Sequence, residues 1–189
     1  MSAATDYWRT NAKLAHITPP GTRWAEGPGV ARELVERFPR GQHTIDFGCG
    51  DGRLVPFFHP ADYYGVDINP HAIEACRAAH PRYRFELIGK DPLPFVDAVL
   101  CYTVLLHVPD EELDEVVRRV TDAAPRVLVV EILGREWRRG GIPPTFNRSP
   151  MDYSAAFGAH GFILWSSLAF DYARYREGTK ITMLEFRRG

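Results

Sequence analysis

The segment that most constrains this chain is Thr44-Ile45-Asp46-Phe47-Gly48-Cys49-Gly50-Asp51-Gly52, followed 15 residues after its last glycine by Asp67, in Tyr63-Tyr64-Gly65-Val66-Asp67. The first stretch reads as a short apolar strand running into a turn of alternating glycines. The second reads as another strand with a carboxylate at its end. Glycine has no Cβ, so it lets a backbone approach a ligand closely and permits positive φ. A carboxylate ending the neighbouring strand can accept hydrogen bonds from both hydroxyls of a ribose. Together they predict a nucleoside-containing cofactor lying across the carboxyl ends of the first two strands.

The glycine spacing narrows the choice of cofactor. Nicotinamide and flavin sites use G-x-G-x-x-G, with a pyrophosphate resting on a helix N-terminus. Here Gly48, Gly50 and Gly52 give G-x-G-x-G, preceded by Asp46. This D-x-G-x-G-x-G pattern resembles motif I of the class I (Rossmann-like) S-adenosylmethionine-dependent methyltransferases. The resemblance implies S-adenosyl-L-methionine as cofactor, a molecule without phosphate. It also implies methyl transfer to an oxygen or nitrogen of a small metabolite. The competing reading of the turn is a plain tight bend in an α/β domain.

The rest of the chain alternates between helical and strand patterns. Helices are expected over residues 5–16, 29–38, 53–58, 70–79, 110–122 and 149–160, and strands over 43–47, 62–66, 82–87, 96–102 and 127–133. In the second helix Val30, Leu34, Val35 and Phe38 form the expected buried stripe. Such alternation calls for a parallel sheet wound on both faces by right-handed crossovers. The end departs from it: strands are expected over 162–169 and 180–187, and the stretch joining them is too short for a crossover helix, so they form an antiparallel hairpin. The family resemblance implies the same α/β plan, a doubly wound, mostly parallel seven-stranded sheet with an antiparallel last strand. A single domain over residues 1–189 is expected, with N-terminal helices or a lid over 1–40 and a substrate-side insert over 131–152.

The resemblance assigns site residues position by position. Asp46 and the turn Gly48, Cys49, Gly50 and Gly52 would border the methionine part of the cofactor. Asp67 would hold the ribose, and Ile68 would pack on the adenine. Asp91, in Gly89-Lys90-Asp91, is either an adenine contact or a simple turn residue before proline. The strand ending at Cys101 and Tyr102 should face the methionine end. The Leu105-Leu106-His107-Val108 segment resembles that of the small-molecule members. His107 has an unperturbed pKa near ~6.5 and is a candidate general base; the competing role is to cap the next helix or pack beneath the cofactor. Relatives that use magnesium need a carboxylate where Cys101 and Tyr102 stand, so no metal is expected.

Acceptor recognition should come from two places. One is the N-terminal segment with Tyr7, Trp8 and Trp24, whose aromatics serve equally as staples fixing the first helices to the sheet. The other is the insert with Arg138, Arg139 and Arg148, whose guanidiniums suit a carboxylated or anionic acceptor. A solvated basic loop is the alternative there. A connection of roughly 20 residues without apolar periodicity is unusual within a compact domain and suggests a lid.

Bulk properties exclude several classes. A net charge of −1 without a long basic run argues against a nucleic-acid footprint. Met1 to Arg9 holds no apolar core of signal-peptide length, and no later run is long enough to span a bilayer. The three cysteines lack C-x-x-C spacing, which disfavours a disulfide framework or structural zinc and fits a reducing cytoplasm. A homodimer is left open. The competing functions are a non-catalytic cofactor-binding subunit that activates a partner methyltransferase and a nicotinamide oxidoreductase.

Overall fold

The computed structural model describes residues 2–13, 27–134, 144–171 and 180–189. The apolar runs of the sequence become strands β1 (Thr44–Phe47), β2 (Tyr63–Asp67), β3 (Arg84–Leu87), β4 (Ala98–Tyr102) and β5 (Arg126–Ile132). Every residue of β1 and β4 is buried, as strands covered on both faces require. β1 pairs in parallel with β2 on one side and with β4 on the other, and β5 continues in parallel from β4. β7 (Lys180–Arg188) enters antiparallel between β5 and β6 (Phe162–Asp171). The full order is β3-β2-β1-β4-β5-β7-β6, so the expected seven-stranded sheet with an antiparallel last strand is present. The residues joining β6 to β7, 172–179, lie outside those described.

Helices cover both faces. On one face α2 (Gly27–Arg37) and α3 (Pro70–Ala79) bury Val30, Leu34, Ile73 and Cys76 against Leu100, Tyr102, Leu128 and Val130. On the other, α4 (Asp110–Ala123) and α5 (Pro150–Gly158) bury Val117, Val120, Tyr153 and Phe157 against Ile45, Val99, Val129 and Phe186. Each such aliphatic or aromatic side chain taken from water contributes about 1.5–3 kcal/mol. The acids of Asp110-Glu111-Glu112 fill the first turn of α4, where the helix dipole favours them. Ser149 and Asp152 close a capping box at the start of α5.

Three local expectations change. Val35 is 53% exposed, because the buried stripe of α2 runs through Val30, Leu34 and Phe38. One residue beyond Leu34 lies about 100° round the helix, away from the sheet. The helix expected over 53–58 is a single 3-10 turn, Val55–Phe57, with Pro56 in it. The first helix, α1, is Ala3–Thr10; residues 14–26, including Trp24, lie outside those described.

The chain leaves β1 toward β2 and returns to the sheet at β4 on the opposite side. That reversal opens a crevice at the carboxyl ends of β1 and β4, where open α/β sheets bind ligands. The glycine turn sits at its floor.

Candidate functional site

Gly48, Gly50 and Gly52 all adopt left-handed φ, at 77°, 55° and 77°. The Gly48 and Cys49 N–H groups both donate to Val66 O, at 2.7 and 3.0 Å, which fastens the turn to the end of β2. A Cβ on Gly48 would stand 2.3 Å from Cγ2 of Val104, so this position excludes any side chain on both counts. Gly50 N–H donates to Asp67 Oδ2 at 2.9 Å and Asn69 N–H to Oδ1 at 2.8 Å. Burial raises the Asp67 carboxyl above the ordinary range, and the N–H groups of Asn69, Gly50 and Ile68 oppose that rise. The strand-end acid is therefore a fixed part of the turn.

A cleft of about 190 Å³ opens above these residues. Gly48, Cys49, Gly50, Asp67, Ile68, Ile88 and Tyr102 line one half of it. The other half is lined by Thr5, Trp8, Thr103, Val104, His107, Val108, Glu112 and Val116. Helix α1 lies across this second half and is tied at both ends. Glu112 accepts from Ser2 N–H at 2.6 Å and from the Thr5 hydroxyl. The Asn69 amide donates to Trp8 O and Asn11 O, at 2.7 and 2.8 Å, while its oxygen caps α3. The residue two beyond Asp67 thus anchors both a sheet-covering helix and the helix over the cleft.

This anchoring sets Trp8 against His107, with ring centroids 4.4 Å apart and planes at 50°. The Trp8 indole nitrogen is buried and has no hydrogen-bond partner among the described residues. His107 Nδ1 lies 2.7 Å from Pro144 O. A carbonyl only accepts, so Nδ1 carries the proton and Nε2 keeps a bare lone pair. Burial lowers the His107 pKa to about 4, against the opposing effect of the Pro144 carbonyl. The imidazole is accordingly neutral at physiological pH.

The turn that presents His107 is held through its own peptide groups. Glu131, at the end of β5, accepts from Val104, Leu105 and Leu106 N–H with one carboxylate oxygen, at 3.0, 2.8 and 3.3 Å. Burial pushes the Glu131 carboxyl up to about 8, although those N–H groups and Arg148 pull the other way. Arg148 donates to Leu105 O at 2.9 Å, to Val108 O at 2.7 Å and to Asp110 Oδ1 at 2.6 Å. Thr103, just before this turn, holds φ at 53°. A β-branched residue in the left-handed region stores about 1–3 kcal/mol, and such strain clusters at functional sites.

The cleft brings together Gly48, Cys49, Gly50, Asp67, Ile68, Tyr102, Trp8 and His107. Other expected site residues lie elsewhere. Asp46 is buried outside the lining: it accepts from Tyr63 OH at 2.7 Å, its other oxygen has no hydrogen-bond partner among the described residues, and burial raises its pKa to about 7. Gly52 is buried where an added Cβ would meet Cys76 and His80 at 3.2 Å, so its role is close packing on α3. Cys101 is fully buried on the α4 and α5 side. Asp91 is exposed and its carbonyl is held by Arg119 of α4; Ile88, just after β3, lines the cleft instead. Tyr7 packs edge-on against Trp8 at 5.1 Å and stands behind it. Arg148, expected to meet an acceptor, is 2% exposed and committed to the turn beneath His107. Arg138 and Arg139, like Trp24, fall outside the described residues.

Sequence reasoning missed Arg53, Thr103, Asn69, Glu112 and Glu131. Arg53 follows the last glycine directly, and that adjacency alone was a usable signal. The others act through contacts between distant segments, which no local pattern announces.

Residues 45–125 match the family profile described as a methyltransferase domain. The chain is similar to a ubiquinone biosynthesis O-methyltransferase of Alkalilimnicola ehrlichii, 25% identical over 190 aligned positions that cover 85% of this chain and 71% of the relative. Its fold is similar to magnesium protoporphyrin IX methyltransferase of Synechocystis with bound S-adenosylhomocysteine, at TM-score 0.69 and 20% identity, covering 89% of this chain and 83% of that one. A TehB-like S-adenosylmethionine-dependent methyltransferase of Corynebacterium glutamicum superposes at TM-score 0.69 and 19% identity, covering 93% and 99%.

Proposed function

We propose that this chain is a class I S-adenosylmethionine-dependent methyltransferase, as its similarity to a methyltransferase domain profile and to an O-methyltransferase supports, and that it methylates an oxygen of a small metabolite whose hydroxyl is acidic, such as a phenol or enol. The observation that carries this reading is the continuous cleft that joins the Gly48–Asp67 floor to the Trp8–His107 wall. The residues present fit the cofactor. Gly48 lets the turn pack against Val104 at a left-handed φ while lining the cleft, and Asp67 offers a fixed carboxylate to a ribose diol. Ile68 and Ile88 supply apolar surface for an adenine. When bound, S-adenosylmethionine supplies a methyl group on a sulfonium, an electrophile whose leaving group is a neutral thioether.

With so good a leaving group, the protein's work is to position the acceptor and exclude water. Trp8 and Val104 wall the acceptor side with apolar surface, and α1 covers it. His107 meets the acceptor hydroxyl with Nε2, orienting an oxygen lone pair toward the methyl. The neutral imidazole accepts from the acceptor hydroxyl, and that proton leaves more readily from a phenol or enol than from an alkyl alcohol, so the former suit the site better. The similarity to a protein named as an O-methyltransferase supports oxygen as the target. An acceptor nitrogen is the alternative within the same site.

The test is label transfer from tritiated S-adenosylmethionine to matched panels of phenols, enols, alkyl alcohols and amines. Label on the phenol or enol panel is the expected result. Label confined to amines or alkyl alcohols overturns the oxygen assignment.

A further inference from the structure

The two edges of the sheet are built differently. β3, at one edge, is four residues long and carries Arg84 and Glu86, which pair with each other at 2.7 Å. Short length and charge keep an edge strand from pairing with another chain. β6, at the other edge, is ten residues long, and no charged residue occurs from Phe162 to Phe170. Three of its large apolar side chains stand in solvent: Ile163 is 53%, Trp165 58% and Leu168 37% exposed. Apolar surface gathered along an unpaired strand marks a place that another chain covers.

Register against β7 fixes the face of each side chain, because directly opposed residues share a face. Leu168 and Phe170 oppose Met183 and Ile181, which belong to the core beneath α2. Ile163 opposes Arg187, whose guanidinium lies 4.5 Å over the Trp165 ring and pairs with Glu185, the acid that also holds Arg37 of α2. Ile163, Trp165, Leu168 and Phe170 therefore share the α2 face. Phe162, Leu164 and Ser167 oppose Arg188, Phe186 and Leu184 and share the face covered by α4 and α5. The bulge between Leu164 and Ser166 shifts the alternation by one residue, which is how Ile163 and Leu168 come to the same side. A second β6 laid antiparallel about a two-fold axis at Ser167 then matches the first. Counting the bulge as one position, Ile163 faces Phe170 of the other copy, Trp165 faces Leu168, Leu164 faces Ala169 and Phe162 faces Asp171. Every pair joins residues of one face, and each of the three exposed side chains gains an apolar partner. The charges agree as well. Asp171 holds Lys180 at the acidic end of β6 and is still 82% exposed, and it meets the end of the other copy where Arg188 lies over Phe162, 4.9 Å from the ring.

We propose that a second copy of this chain covers β6, joining the two seven-stranded sheets into one through antiparallel β6–β6 pairing centred on Ser167. The crevice at β1 and β4 is separated from this edge by β5 and β7, so each copy keeps its own cleft.

Sedimentation equilibrium and cysteine cross-linking of the full chain test it. The parent should sediment at about twice the 21.4 kDa of one chain. Ser167 is exposed, so Ser167→Lys sets two lysines face to face on the axis without disturbing the core of either copy. Its circular dichroism should match the parent, and its dimer dissociation constant should rise at least about a hundredfold, because like charges brought together oppose association strongly. A monomeric parent, or a Ser167→Lys variant that dimerises as tightly as the parent, overturns the proposal. Ser167→Cys reads the register without adding charge. Directly opposed Cα atoms of an antiparallel pair lie about 4.5–5.5 Å apart, within disulfide reach. Two Ala169 Cα atoms would lie about 14 Å apart in this register, out of reach. The three native cysteines are buried and stay out of the reaction. Mild oxidation with copper phenanthroline should therefore give a covalent dimer from Ser167→Cys and none from Ala169→Cys. A covalent dimer from Ala169→Cys, or from neither variant, overturns pairing centred on Ser167.

Discussion

The two halves of the cleft are built by different means. The floor proposed to take the cofactor is made of one contiguous turn, Gly48 to Gly52, and the carboxylate of the next strand, Asp67, joined by the hydrogen bond from Gly50. The wall proposed to face the acceptor is assembled from four separate segments: Trp8 from α1, His107 from the turn after β4, Pro144 and Arg148 from beyond β5, and Glu131 at the end of β5. The floor depends on backbone conformation that only glycine adopts freely. The wall depends on buried polar side chains holding peptide groups in place. Substitutions in the floor should therefore weaken cofactor binding, whereas those in the wall should spare it and change turnover, acceptor affinity or pH response.

Gly48→Ala gives the largest expected effect. The new Cβ collides with Val104 and sits at a φ that costs about 1–2 kcal/mol on its own. S-adenosylhomocysteine affinity should fall at least about a hundredfold by calorimetry, since one misplaced turn loses several contacts at once. Adding Val104→Ala should recover part of it, because the collision is relieved while the backbone cost remains. Unchanged affinity in Gly48→Ala would show that the turn does not approach the ligand.

The next effect belongs to the wall. His107→Ala should lower kcat about a hundredfold or more while leaving S-adenosylhomocysteine affinity within about twofold. In the parent, kcat should show no limb near pH 6.5, because the imidazole is neutral down to about pH 4. A limb near pH 6.5 that vanishes in the variant would contradict the buried, neutral histidine.

Glu131→Gln separates holding from charge. The folded pKa of Glu131, about 8, lies above the ordinary value of 4.5. Its neutral form is thus the stabilising one, fully present below about pH 4.5 and lost as pH rises through 8. Glutamine keeps an oxygen for the three N–H groups and cannot ionise. The variant should match the parent near pH 5 and melt a few degrees higher at pH 9, with about 2–4 °C for each kcal/mol in a chain of this size. A parent that melts higher at pH 9 would mean the ionised carboxylate is the stabilising form.

Trp8→Phe should have the smallest effect. The ring against His107 is retained in smaller form, so the acceptor KM should rise a few-fold and cofactor affinity should not move. Equal changes in both would place Trp8 on the cofactor side.

The same contrast explains what could be read from the sequence. The sheet was legible because β1, β4 and β5 are short apolar runs and α4 repeats buried residues at helical spacing. The floor was legible because its residues are neighbours in sequence and glycine spacing is a local signal. The wall was only half legible. His107 and Trp8 stand in recognisable segments, yet the grip of Glu131 on Val104–Leu106 spans about 25 residues of chain, and Asn69 reaches back to Trp8 over 61. Arg148 was assigned to the acceptor because an arginine in a loop reads as exposed; the fold instead buries it against carbonyls of the His107 turn. Asp91 stays open in the sequence between an adenine contact and a turn residue, because Lys90 separates it from Gly89; its exposed place, with its carbonyl held by Arg119, fits the turn.

The most direct test is calorimetric titration of S-adenosylhomocysteine into the parent chain and Asp67→Ala. Asp67 accepts from Gly50 N–H and is proposed to hold the ribose, so one substitution should loosen the sugar contact and the turn together. The account predicts clear saturable binding by the parent and affinity at least about tenfold weaker in Asp67→Ala. Equal affinity in the two proteins, or no binding by the parent, would contradict it.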